Sequence, residues 1–271
     1  PETPRRAVFP TDAGAGADVA LINPITNLNE PAATTAVEIG SIGGKGQIGS
    51  GYSAGGSFYH MPGTAGGAGG SIALEQTGDI VGIGSQKSDT ALLNLYSIGG
   101  DGGIGTNGIG KGGAAGTLTL ALNADVQTVG NHFAGIWAKS QGGQTGANNS
   151  GNPLESGVAA ADVGRYPGSN GNTVTVVVGA DVLVSTQEDT GEKDVKKRGY
   201  APAIIAESIG GAGIDGATIS RLLPGAGNGG AVSFENYGTI VTDGNVSTGV
   251  LLQLVGGRGG RQRRSGSHGS G

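Results

Sequence analysis

The chain reads as an all-β protein, a parallel β-helix with three strands per rung and glycine-rich insertions at one corner. Three observations predict this. First, a phrase recurs, closing a short apolar run each time: Ser41-Ile42-Gly43-Gly44, Ser97-Ile98-Gly99-Gly100, Ser140-Gln141-Gly142-Gly143, Ser208-Ile209-Gly210-Gly211 and the degenerate Leu254-Val255-Gly256-Gly257. Second, its copies lie 56, 43, 68 and 46 residues apart, so the unit keeps its ends while one connection changes length. Third, 59 of the 271 residues are Gly and only 4% are aromatic, too few large side chains for an ordinary globular core.

Taken in order, residues 1–36 carry Pro1, Pro4, Pro10, Pro24 and Pro31 without sustained periodicity, and read as an irregular lead-in or cap over the first rung. The repeat region spans 37–257, beginning at Val37 with a partial unit. Four fuller units follow at 71–100, 117–143, 173–211 and 231–257. Each holds three short segments with period-two alternation, bounded by Gly, Asn or Asp. In the second unit these are Thr117-Leu118-Thr119-Leu120, Ala124-Asp125-Val126-Gln127 and Gly135-Ile136-Trp137-Ala138. No segment carries an apolar stripe at helical spacing.

Stacked about 4.8 Å apart, the units predict inward columns Ile72/Leu118/Val174/Val232, Leu74/Leu120/Val176/Phe234, Ile80/Val126/Val182/Ile240 and Leu93/Ile136/Ile204/Val250. A fifth column, Leu95/Ala138/Ala206/Leu252, alternates in size. A β-sandwich could use the same strands, but it does not need a repeated corner.

The variable material is confined to 45–70, 101–116, 144–172 and 212–230, between each Gly-Gly and the next first strand. Its glycines often recur every third residue, as in Gly99/Gly102/Gly105/Gly108 and Gly63/Gly66/Gly69. Three is the period of polyproline II. Two readings stand, a lateral flap of packed extended segments and a disordered surface loop, and the loop is preferred. The third unit adds a mixed-charge bulge, Glu188 to Gly199, and residues 258–271 form a basic, disordered tail.

Composition excludes several functions. Without Cys there is no disulfide scaffold or thiolate metal site. The net charge of −5 argues against a nucleic-acid surface over most of the chain. No stretch is long and apolar enough for a membrane-spanning helix. The start at Pro1, with no Met and no apolar h-region, predicts a mature piece or a fragment.

For chemistry, Asp79, Asp125 and Asp181 occupy one position in three consecutive units, with Thr239 in the fourth. Stacked carboxylates could serve as general acid and base on a polysaccharide or hold Ca²⁺. Each also follows Gly or Ala at a turn, where Asp is favoured for local hydrogen bonding, and that structural reading is preferred. Gly210-Gly211-Ala212-Gly213-Ile214-Asp215 matches the opening of a calcium-binding nonapeptide, but in a single copy. His60, His132 and His268 have no partners at metal-ligand spacing. Tyr96 and Trp137 lie on outward-leaning positions of the third segments. No active site emerges, no metal or cofactor is implied, and the expected protein is not an enzyme.

Three phrases carry a family resemblance: Glu235-Asn236-Tyr237-Gly238-Thr239-Ile240-Val241, Ser247-Thr248-Gly249-Val250-Leu251, and Ala203-Ile204-Ile205-Ala206-Glu207-Ser208-Ile209-Gly210-Gly211. Through them residues 37–257 resemble the passenger region of autotransporters, the type V secretion proteins of Gram-negative bacteria. The resemblance implies a right-handed β-helix exported through a C-terminal outer-membrane barrel that this chain does not contain. It also implies a place on the cell surface or outside the cell. The expected function is a structural or adhesive surface fragment, contacting host or bacterial cells, matrix or itself. Two alternatives stay open: a polysaccharide-acting β-helix lyase or hydrolase using the Asp column, and a glycine-rich surface repeat protein, whose texture Gly66 to Gly70 shares.

Overall fold

A computed structural model describes residues 13–23, 28–30, 35–49, 52–54, 57–59, 63–83, 90–105, 108–146, 168–187, 201–213, 225–244 and 247–258. Among these residues every regular element is a β-strand. Numbered in chain order, β1 (Val19–Asn23), β6 (Ile72–Gln76), β11 (Leu118–Leu122), β14 (Val174–Val178) and β17 (Val232–Asn236) form one five-stranded sheet. A second contains β2 (Leu28–Glu30), β7 (Ile80–Ile83), β12 (Val126–Val129), β15 (Leu183–Gln187) and β18 (Thr239–Asp243). The third contains β3 (Val37–Ile42), β8 (Thr90–Ile98), β13 (Phe133–Gln141), β16 (Ile204–Ile209) and β19 (Val250–Val255).

All pairings in these three sheets are parallel, and strand order follows chain order. The chain therefore visits the sheets in turn and returns one position further along, as in a parallel β-helix. Two small antiparallel pairs, β4 (Tyr52–Ala54) with β5 (Ser57–Tyr59) and β9 (Ile104–Gly105) with β10 (Gly108–Ile109), lie inside the insertions.

Side chains in these strands alternate between core and solvent, as β6 and β11 show. The registers Ile72↔Leu118↔Val174↔Val232 and Leu74↔Leu120↔Val176↔Phe234 match the expected columns, as do Leu93↔Ile136↔Ile204↔Val250 and Leu95↔Ala138↔Ala206↔Leu252. One column needs correction. Val126 pairs with Val184, not Val182, and Val184 with Ile240. The third unit inserts two more residues than the second at this corner, accommodated by a turn in which Asp181 takes a left-handed φ of 62°. Val182 remains buried beside the column.

The stretch 1–36, expected to be an irregular lead-in, contains β1 and β2. Val19 and Leu21 continue the Ile72 and Leu74 columns. Five layers result, and the core lies in the middle three. Leu74 and Leu120 are at most 2% exposed, whereas their equivalent Leu21 in the first layer is 44% exposed. Each fully buried aliphatic side chain contributes about 1.5–3 kcal/mol. A single layer cannot offset the entropy of ordering itself, so the layers stand only as a stack.

Candidate functional site: the glycine-rich edge and the outer faces

Each layer leaves the third sheet at its Gly-Gly and re-enters the first sheet after a returning glycine-rich segment. These outgoing and returning segments form a second stack beside the sheets. A line of backbone hydrogen bonds zigzags between them, with Gly67 N donating to Gly44 O at 2.9 Å, Gly100 N to Gly67 O at 2.8 Å and Gly113 N to Gly100 O at 2.8 Å. It continues through Gly143, Ser169, Gly211 and Gly227 to Gly257. Within the outgoing row, Gly43 and Gly46 donate to Ile98 and Asp101, Gly99 and Gly102 to Gln141 and Gln144, and Gly210 and Gly213 to Val255 and Arg258. In the returning row Gly66 and Gly69 donate to Lys111 and Ala114.

Donors that recur every third residue are the signature of three residues per turn, the polyproline II repeat. Two residues of each three face neighbouring segments and the third faces outward. Lys45, Lys111, Ala114, Gln144 and Asn170 are accordingly exposed. Disordered surface loops were the preferred expectation here, and the described parts of the insertions instead form the packed flap.

Glycine is required there for space, not for an unusual backbone angle. Among the described glycines only Gly130, outside the flap, has a positive φ. A Cβ added to Gly113 would lie 1.9 Å from the Gly67 carbonyl oxygen, and one added to Gly99 would lie 1.8 Å from that of Gly113. A methyl group cannot enter without parting the backbones.

The recurring serine joins the two stacks. Ser97 Oγ donates to Gly70 O at 2.8 Å and accepts from Gly116 N at 2.7 Å. Ser140 does the same with Gly116 O and Asn172 N, and Ser208 with Asn172 O and Gly230 N. Ser41 clamps Ala17 O and Gly70 N. Each buried hydroxyl thus ties the returning segment of its own layer to that of the next. The fifth layer has Leu254 at this position.

The aspartates take a related part. Asp79 Oδ1 accepts from Asp125 N at 2.9 Å, and Asp125 Oδ1 accepts from Leu183 N at 2.7 Å. The third expected member, Asp181, is displaced by the two-residue insertion, and Leu183, paired with Thr239, holds its column position. The structure therefore brings Asp79 and Asp125 together and leaves Asp181 apart. The same stitch from an Asp or Asn oxygen to an amide one layer on recurs on the flap, at Asp101 to Gln144 N and Asn170 to Asn228 N. At the first sheet Asp18 accepts from Ser71 N. Sequence reasoning missed these partners, which lie one layer away and not in the local turn.

On the outer face of the third sheet, the Trp137 indole Nε1 donates to Glu207 Oε2 at 3.0 Å. Trp137 packs with Leu251 against a small cluster of Ala91, Ala134 and Ile205. The Tyr96 ring covers Gly40, where a Cβ would strike it. Burial, then a hydrogen bond and the charge from Glu38, hold the Tyr96 phenol above its ordinary pKa. His132 lies in the turn between β12 and β13 with φ 55°. His60, His268, Asp215 and the bulge from Glu188 to Gly199 lie outside the described residues. Among the described residues no cluster of His, Asp and Glu could hold a metal ion.

No family model, curated protein or solved structure matches the chain.

Proposed function

We propose that the chain is a non-catalytic adhesive shaft displayed on the surface of a Gram-negative bacterium, a right-handed β-helix with three strands per rung. One observation carries this reading. The polar groups that repeat from layer to layer, the Ser clamps and the Asp and Asn stitches, are engaged with the backbone of the next layer. They therefore serve stacking instead of converging on a substrate. What the stack offers outward is a broad edge of side chains repeating every third residue, suited to many weak contacts. The resemblance to autotransporter passenger regions supports the handedness, the export and the location.

The test is binding of the purified protein to cultured cells and to matrix-coated surfaces. Replacing the exposed Lys111 and Ala114 with Glu changes the charge of the flap edge without entering its backbone contacts and leaves the Lys45–Asp101 ion pair in place. The double variant should bind at least several-fold more weakly while melting at the parent temperature. Binding equal to the parent would remove the flap as the contact surface. Release of reducing or unsaturated sugar from a pectin-like panel by the parent, abolished by Asp125→Asn, would overturn the non-catalytic reading.

A further inference from the structure

We infer that the two ends of the stack are complementary, and that a second copy of this chain adds head to tail. Its β1–β3 layer would continue the sheets beyond β17–β19. This rests on the stacked-layer reading above, which it extends to a defined partner and geometry. At the entry to the first sheet the donors all point to the following layer, while at its exit they point back, as from Asn123 N to Gln76 O and from Tyr237 N to Val178 O. At the entry, Ile72 N donates to Thr117 O, Leu118 N to Thr173 O and Val174 N to Ala231 O, each from one layer to the next. The same step from Val232 N leads to Asp18 O of the second copy. In the outgoing row Gly99, Gly142 and Gly210 donate to Gln141, Ile209 and Val255, so Gly256 N would meet the Ile42 carbonyl.

Continuing the register sets like over like. Val232 falls on Val19, Phe234 on Leu21, Val250 on Val37 and Leu252 on Ile39. Asn236 falls on Asn23, whose amide already bonds the Gln76 side chain of its own column at 2.8 Å. In the sheets like charges do not meet, since Glu235 faces Ile22 and Glu38 faces Leu251; along the edge Arg258 falls on Lys45, whose ammonium is offset by Asp101 of its own copy at 3.8 Å. Leu21 and Leu252 occupy inward columns and are 44% and 45% exposed, so each end presents apolar surface that the joint would cover. Two copies of the same end could meet only with strands antiparallel, whereas the parallel register that sets like over like joins opposite edges, so the contact is heterologous and open-ended.

One position breaks the match. Leu254 stands where a serine would donate to Gly230 O and accept from Ala17 N of the second copy. The joint therefore lacks the clamp that ties every inner pair of layers. This predicts reversible association, tightened by Leu254→Ser.

Sedimentation equilibrium across protein concentration tests the proposal, with far-UV circular dichroism to verify that each variant is folded. The parent should show concentration-dependent growth beyond the dimer, and Leu254→Ser should lower the dissociation constant about tenfold. Leu21→Glu blocks one end and Leu252→Glu the other, so each alone should be monomeric. Mixed one to one, they should give a dimer and nothing larger, joined through their two intact ends. A folded parent that stays monomeric throughout overturns the head-to-tail joint while leaving the stack itself intact. So does a mixture that stays monomeric or grows past the dimer. Loss of β-structure in the parent would instead overturn the stacked-layer reading.

Discussion

The sheets and the glycine-rich edge stack the same five layers by opposite means. In the sheets, layers are held by what the side chains add. Leu118, Val174 and their neighbours fill the space between walls, and the core is tightest where both adjacent layers are present. Along the edge, layers are held by what the residues lack. Glycine lets carbonyl and amide of successive segments meet at 2.7 to 3.1 Å with no side chain between them. Specificity is equally sharp in both, since one loses its fit when a methyl is removed and the other when one is inserted.

The largest effect should therefore come from adding a single carbon at the edge. Gly113→Ala meets backbone instead of a flexible side chain, and should cost about 4 kcal/mol or more, or part the flap outright, in denaturant melts. Gly44→Ala is the control. Its added carbon meets Ala13 Cβ and Gly14 O at 3.3 Å, in the outermost layer, and should cost less than about 1 kcal/mol. Equal effects at the two positions would remove the distinction between an edge that needs space and one that merely tolerates glycine.

Deletion within the sheets comes next. Leu120→Ala should cost about 2–5 kcal/mol, because both adjacent layers hold the cavity open. Leu21→Ala, in a layer covered on one side only, should cost less than half as much in the same melt. Ser140→Ala tests the link between the two regions. It strands the Gly116 carbonyl and the Asn172 amide, each costing about 1–3 kcal/mol if unsatisfied and buried, and should raise exchange at the amide of Asn172 in particular.

The smallest effect is expected at the aspartates. Asp125→Ala removes one partly exposed bond to Leu183 N and should cost about 1 kcal/mol, whereas Asp181→Ala lacks that bond altogether. A pH effect is expected at Tyr96. Its folded pKa is raised, so the protonated phenol favours folding. That contribution is complete below the ordinary phenol pKa of about 10 and is lost as pH rises through the higher folded value. Tyr96→Phe should flatten this alkaline loss.

The sheets were legible because their signal is carried by side chains. Alternating Val, Ile and Leu positions fixed four of the five columns, and the Ser-Gly-Gly phrase set the unit. The Ile80/Val126/Val182/Ile240 column slipped because Ala180-Asp181-Val182 copies Ala124-Asp125-Val126, which hid two extra residues behind identical spelling. The first layer was missed because prolines on either side drew attention from Val19-Ala20-Leu21, a close copy of Ile72-Ala73-Leu74. The edge showed its period of three but not its partners. A glycine carries no side chain whose size or polarity could mark which backbone it touches. The serine role was hidden for a related reason, since the clamp of Ser140 depends on segments 24 residues before it and 32 residues after it.

Hydrogen exchange at single-amide resolution tests the paired-stack account most directly. The amides of Gly100, Gly113 and Gly143 should be protected to within about tenfold of Leu118 and Val174 in the sheet, because all five donate to the backbone of a neighbouring segment or strand. Complete exchange of the three glycine amides within the dead time, with the sheet amides still protected, would leave the sheets standing and contradict the ordered edge.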